Sequence, residues 1–175
     1  MMELNEKIIE ESDNKEEVVK VLESIHGIIE RFGAELFFKN NTLERIMNHT
    51  KSLLDFKALC QVKNDEVDEE EDIDHDEKIL GGVVDIYLIT SEKLGNEFHE
   101  SFSGIFTSLK KYLSVSRSEA DRSMVFGLFA DVFKYCKTST KFYISILFQA
   151  IEENIKKNMK KIIISQNILL WLRVI

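Results

Sequence analysis

Ten carboxylates, Asp65, Glu66, Asp68, Glu69, Glu70, Glu71, Asp72, Asp74, Asp76 and Glu77, fall within thirteen residues that contain no Lys or Arg. Acids at this density can hold a divalent cation, attract a basic polypeptide, or stand in water as a charged spacer. A hand-like calcium loop beginning at Asp68 needs glycine at its sixth position and a carboxylate at its twelfth. Those positions are Ile73 and Ile79, so the cation reading fails. A Lys/Arg-rich chain, by contrast, relieves the mutual repulsion of the carboxylates and releases their counterions. Screening cuts that attraction off beyond about 8 Å at physiological salt. Binding would be short-ranged, salt-sensitive and weakly selective for sequence. The whole chain carries −8 and the block alone −10, which leaves +2 on everything else. Any pull on a basic partner is therefore local to one segment.

No other set of residues offers a reaction. His26, His49, His75 and His99 share no metal-ligand spacing. Gly81-Gly82 lacks the third glycine and preceding strand of a dinucleotide loop, and no phosphate-binding loop or nucleophile elbow occurs. The expectation is a protein that is not an enzyme and uses no metal and no cofactor. The run KKNMKK, Lys156–Lys161, has four lysines and no interleaved aromatics on which bases could stack, so direct nucleic-acid binding is not expected. Cys60 and Cys136 stand far apart and read as reduced thiols rather than as a disulfide or zinc pair. No signal-like apolar core opens the chain. The apolar run Ile162–Ile175 is too short and interrupted to span a bilayer, so no membrane partner is expected.

The elements that carry these acids are helices. The chain has no proline and seven glycines in 175 residues, which disfavours a turn-rich β fold. Val18, Val19, Leu22, Ile25, Ile28, Ile29 and Phe32 recur at helical spacing, and Gly33 follows as a stop. A second stripe holds Leu43, Ile46, Met47, Thr50, Leu53 and Leu54, with Thr42 as its expected N-cap. After the acids comes a helix ending at Gly95, then a stripe of Phe98, Phe102, Ile105, Phe106 and Leu109. Ser116 and Ser118 are cap candidates for a helix carrying Met124, Leu128, Val132 and Phe133, widened by Phe126 and Phe129. Phe142, Ile146, Leu147 and Ile151 mark the next, and a last helix is predicted over roughly Lys160–Ile175.

Matching ends give a period. Gly33 to Gly95 is 62 residues and Gly95 to Lys137 is 42, a surplus of 20 that is close to the length of the acidic block with its flanks. Without that insertion each unit is about 40 residues, the length of a HEAT or armadillo-type repeat. The fold expected is all-α, a HEAT-type solenoid of about three antiparallel helix pairs with partial terminal units. Its divisions are a first pair with a partial preceding helix over 1–61, a disordered acidic loop over 62–76, a second pair over 77–116, a third over 117–157 and the start of a truncated unit at 158–175.

These residues resemble the importin-beta (karyopherin-beta) superfamily, most closely the branch containing importin four. Ala58-Leu59-Cys60-Gln61 closes a helical pair, the run Asp65–Glu77 follows, and SEADRSMVFGLFAD, Ser118–Asp131, is similar to a later family helix. The terminal SQNILLWLRVI, Ser165–Ile175, is similar to another helix opening. The chain departs from the family in having no proline and in the stretch NIKKNMKKIIIS, Asn154–Ser165. The resemblance implies a fragment of a nuclear import receptor, shuttling between cytoplasm and nucleus, that binds ribosomal proteins or histones through the acidic loop. It implies release of that cargo by the Ran GTPase, whose contacts in the family concentrate in N-terminal repeats, and contact with nucleoporins. It also implies that the second helix of each pair lines a concave face, which makes Glu97, Glu100, Glu152 and Glu153 candidate cargo contacts. The competing reading is a general HEAT scaffold with an incidental acidic spacer, and either would self-associate through exposed solenoid ends.

Overall fold

The computed structural model describes the backbone of residues 2–33, 41–62 and 69–172, and side chains over 5–33, 41–62 and 74–158. Every regular element within them is helical. The helices are α1 (Met2–Glu11), α2 (Lys15–Phe32), α3 (Thr42–Leu54), α4 (Glu69–Leu94), α5 (His99–Lys110), α6 (Glu119–Tyr135) and α7 (Lys137–Leu172), with short 3₁₀ turns around α3, α4 and α5.

Local chemistry fixes the ends. The Asn14 side chain accepts from the amides of Glu16 and Glu17, two of the orphan donors at the start of α2. Gly33 (φ 63°) and Gly95 (φ 55°) turn the chain out of α2 and α4 in the left-handed region that a Cβ disfavours. Ser118 caps α6 by accepting from the Asp121 amide at 2.9 Å, as expected. Thr42 does not cap α3. Asn41, itself at φ 53°, holds the cap position, and the buried Thr42 begins the helix.

Helices pack in two rows. α2, α4 and α6 pack in sequence, as do α1, α3, α5 and α7, and the rows meet where α1 packs on α2, α3 on α4 and α6 on α7. The contacts within a row recur at a constant step. Glu6 meets Arg45, 39 residues on, and His99 and Ser103 meet Ser139 and Tyr143, each 40 on. Gly95 faces Tyr135, also 40 on. Two steps are longer: Leu54 to Tyr112 is 58, and Lys15 to Asp76 is 61. Both cross the acidic stretch. Partners advance together along both helices, so neighbours within a row run in the same direction.

The rows close on one core. Phe102 sits among Phe98, Phe106, Phe129 and Tyr143 at ring-centroid distances of 5.6 to 6.2 Å, joining α5, α6 and α7. Tyr87 of α4 donates to Thr50 Oγ1 at 2.7 Å, and Thr50 donates on to the Ile46 carbonyl, so the buried hydroxyls between α3 and α4 are paired. The stripe Phe98, Phe102, Ile105, Phe106, Leu109 is buried throughout.

Three expectations are corrected. The stretch expected as a disordered loop over 62–76 is helical from Glu69, where α4 begins. Glutamate is a good helix former, and carboxylates in a first turn face the positive end of the helix dipole, which offsets their mutual repulsion. No new helix starts near Lys160: α7 runs unbroken across the expected 157/158 boundary, since nothing between Lys137 and Leu172 is glycine or proline. Phe142, expected in a buried stripe, is 63% exposed and stacks on His99 at 5.1 Å at the surface.

Candidate functional site

The ten acids of the insertion divide. Asp65, Glu66 and Asp68 lie outside the described residues. Glu69, Glu70, Glu71 and Asp72 open α4, placed there by its backbone. Asp74 is exposed and paired with Lys78 one turn along, which holds its carboxyl below the usual range. Asp76 lies 2.8 Å from Lys15 Nζ, tying the start of α4 to the start of α2. Glu77 is half-buried. Of the described acids at least Asp76 is engaged in holding the fold rather than facing a partner.

The four acids proposed on the second helices also divide. Glu97 and Glu100 line one groove of about 610 Å³ between α3 and α5. Glu153 lines a smaller cleft of about 230 Å³ between α5 and α7, where Gln149 donates to it. Glu152 pairs with Lys156 at 2.6 Å and is held ionised by that contact. The four therefore do not converge on one site.

The larger groove is built from two matched rows. α3 gives it Glu44, Met47, Asn48 and Lys51, while the 3₁₀ turn before α5 gives Glu97 and α5 gives Glu100, Ser101 and Gly104. Each set covers eight residues at i, i+3, i+4, i+7 spacing, which on α3 puts the side chains on one helical face. Asn41 and Leu43 at one mouth and Ile105 complete the lining. Met47 and Ile105 are buried and form an apolar floor. At Gly104 an added Cβ would meet no heavy atom within 4 Å, so the missing side chain leaves the groove open rather than relieving a clash.

The carboxylates of this groove stand apart from the ion pairs of the described residues. Across the surface, carboxylates meet cations: Glu6 with Arg45, Glu16 with Lys20, Asp55 with Lys111, Glu152 with Lys156. Among the described residues no ion pair engages Glu44, Glu97 or Glu100. Three free carboxylates converge where α3 and α5 begin, and Lys51 stands in the last turn of α3. Glu44 and Lys51 were missed in the sequence. Their signal is the repeated register of α3 on α5, visible only once the longer step across the insertion is known.

Other motifs are engaged in the fold where they are described. No three potential metal ligands cluster among the described residues, and no helix described is long and apolar enough to cross a membrane. Cys60 and Cys136 are buried free thiols, and burial pushes the Cys60 thiol up. Within the basic run, Lys156 is paired with Glu152 and Lys157 donates to the Val115 carbonyl. Compared with known proteins, the chain matches no family and no curated protein.

Proposed function

We propose that the two rows are successive HEAT-type repeats of a nuclear import receptor of the importin-beta type, and that this part of it binds Lys/Arg-rich protein cargo. The observation that carries the reading is the step of about 40 residues between row neighbours, lengthened only where the acidic insertion stands. A repeat stack tolerates added chain between units. Here the added chain is one of concentrated negative charge. The sequence resemblance supports the same reading, and with it come Ran-dependent release, nucleoporin contact and shuttling between cytoplasm and nucleus as parts of the proposal.

The test must respect Asp76. Deleting residues 64–77 would remove its tie to Lys15 and the first turns of α4, so loss of binding would be confounded with damage to the fold. Neutralisation avoids this: E69Q, E70Q, E71Q and D72N together, with Asp76 kept. Binding of a histone-tail peptide is measured at two salt concentrations. The proposal expects binding that weakens steeply with salt and drops in the neutralised protein. Binding indifferent to both would leave a helical scaffold with a charged spacer.

A further inference from the structure

We infer that the α3–α5 groove is a directional peptide seat, taking an extended segment with a Lys or Arg at one end and an Asp or Glu about three residues away. The inference refines the cargo reading above and rests on it for biological meaning, but its geometry stands separately.

A uniformly basic ligand is a poor match for this groove. Glu44, Glu97 and Glu100 make one end a trap for a cation. Lys51 lies seven residues along α3 from Glu44, about 10 Å at 1.5 Å per residue. A second cationic side chain at that distance would meet Lys51 and be repelled, whereas a carboxylate would be held. In a polyproline-type extended chain, side chains three residues apart share a face and are separated by about 9 Å, which matches the interval between the two charges. The size agrees, since pockets of roughly 300–1,000 Å³ hold ligands of a few residues rather than a whole helix. Between the poles, Met47 and Ile105 can pack against the methylene stem of an Arg or Lys. Gly104 lets a partner backbone approach the wall of α5. No packing contact inside the fold fills that space.

The probes are three end-blocked peptides, Arg-Ala-Ala-Glu, Glu-Ala-Ala-Arg and Arg-Ala-Ala-Arg, titrated into the full chain and followed by NMR shifts of α3 and α5 amides. The better of the two charge-separated orders should bind about 3–5-fold more tightly than Arg-Ala-Ala-Arg, the scale of one exposed ion pair. Lys51→Glu should reverse that preference. Gly104→Leu should abolish binding while keeping the melting temperature at or above that of the parent, because space for the new side chain already exists. Equal or tighter binding of Arg-Ala-Ala-Arg overturns the inference. So does a preference that survives Lys51→Glu, a folded Gly104→Leu protein that still binds, or no shift with any of the three. The E69Q, E70Q, E71Q, D72N protein serves as the separating arm. Groove peptides should bind it unchanged, so a failed groove with a working acidic segment removes this inference and leaves the cargo reading in place, and the reverse removes only the latter.

Discussion

Two glycines, Gly82 on α4 and Gly104 on α5, use the missing side chain in opposite ways. In the α2–α4–α6 row, a Cβ added at Gly82 would lie 3.0 Å from Leu22 Cβ and 3.1 Å from its Cδ1. Gly81, one residue earlier, faces Met124 Sδ on the other side at 3.8 Å. The pair lets α4 sit close to both neighbours. In the other row, Gly104 on α5 borders a groove and meets nothing. Gly82 closes an interface, whereas Gly104, like Gly27 on α2 and Gly127 on α6, leaves space beside its helix. This separates where the sequence is committed to packing from where it leaves surface for something else.

The largest effect should come from closing the gap in the first row. Gly82→Leu inserts a side chain where even its first carbon is too close to a β-carbon fixed on the facing helix, so α2 and α4 must part or Leu22 must leave its rotamer. Overpacking of this kind costs typically about 1–3 kcal/mol. Chemical denaturation should show a lowered midpoint with an unchanged slope. An undiminished midpoint would mean that the row is not packed through Gly82, and the contrast with Gly104 would lose its first half.

The same contrast marks what could be read from the sequence. Buried stripes such as Phe98, Phe102, Ile105, Phe106 and Leu109 are legible because periodicity reports a helix's own inward face. Helix stops at Gly33 and Gly95 are legible because positive φ selects glycine. The beginning of α4 at Glu69 was not, since a run of like charge reads as loop when neither the helix dipole nor the distant Lys15 is in view. Phe142 misled because its position on the stripe says nothing of where its neighbour ends. Half of the groove was in reach: Glu97 and Glu100 came from the expectation of a concave face. Glu44, Lys51 and the openness at Gly104 depend on setting α3 against α5, a pairing 56 residues apart in the sequence at Asp55 and Lys111.

That pairing offers a second, smaller effect. Asp55 ends α3, and Lys111, just beyond α5, donates to it at 2.6 Å. Burial works against its ionisation, but the Lys111 and Ser108 contacts outweigh it and hold the carboxyl below the ordinary Asp range. A folded-state value below the unfolded one means that the stabilisation is complete above the unfolded pKa, about 3.9, and is lost as pH falls through the lower folded value. Asp55→Asn should therefore cost about 1 kcal/mol at neutral pH, allowing for the exposure of Lys111. The gap between the two proteins should narrow below about pH 4. A gap that stayed constant down to pH 2 would show that the carboxylate charge does not link α3 to α5.

The smallest effect has the opposite sign and bears on the second row alone. Gly104→Ala adds a methyl group into open space in the middle of α5, where it touches nothing and removes the backbone freedom of glycine from the unfolded chain. The melting temperature should rise by the equivalent of about 0.5–1 kcal/mol. Unlike the leucine in the binding test, one methyl should leave most of the groove free, so peptide affinity should change little while stability improves. Adding a side chain thus lowers stability at Gly82 and raises it at Gly104, although both glycines are helical. If Gly104→Ala destabilised the fold instead, α5 would need that glycine for its own packing. The open wall of the groove would then be a consequence of folding rather than a place kept for a partner.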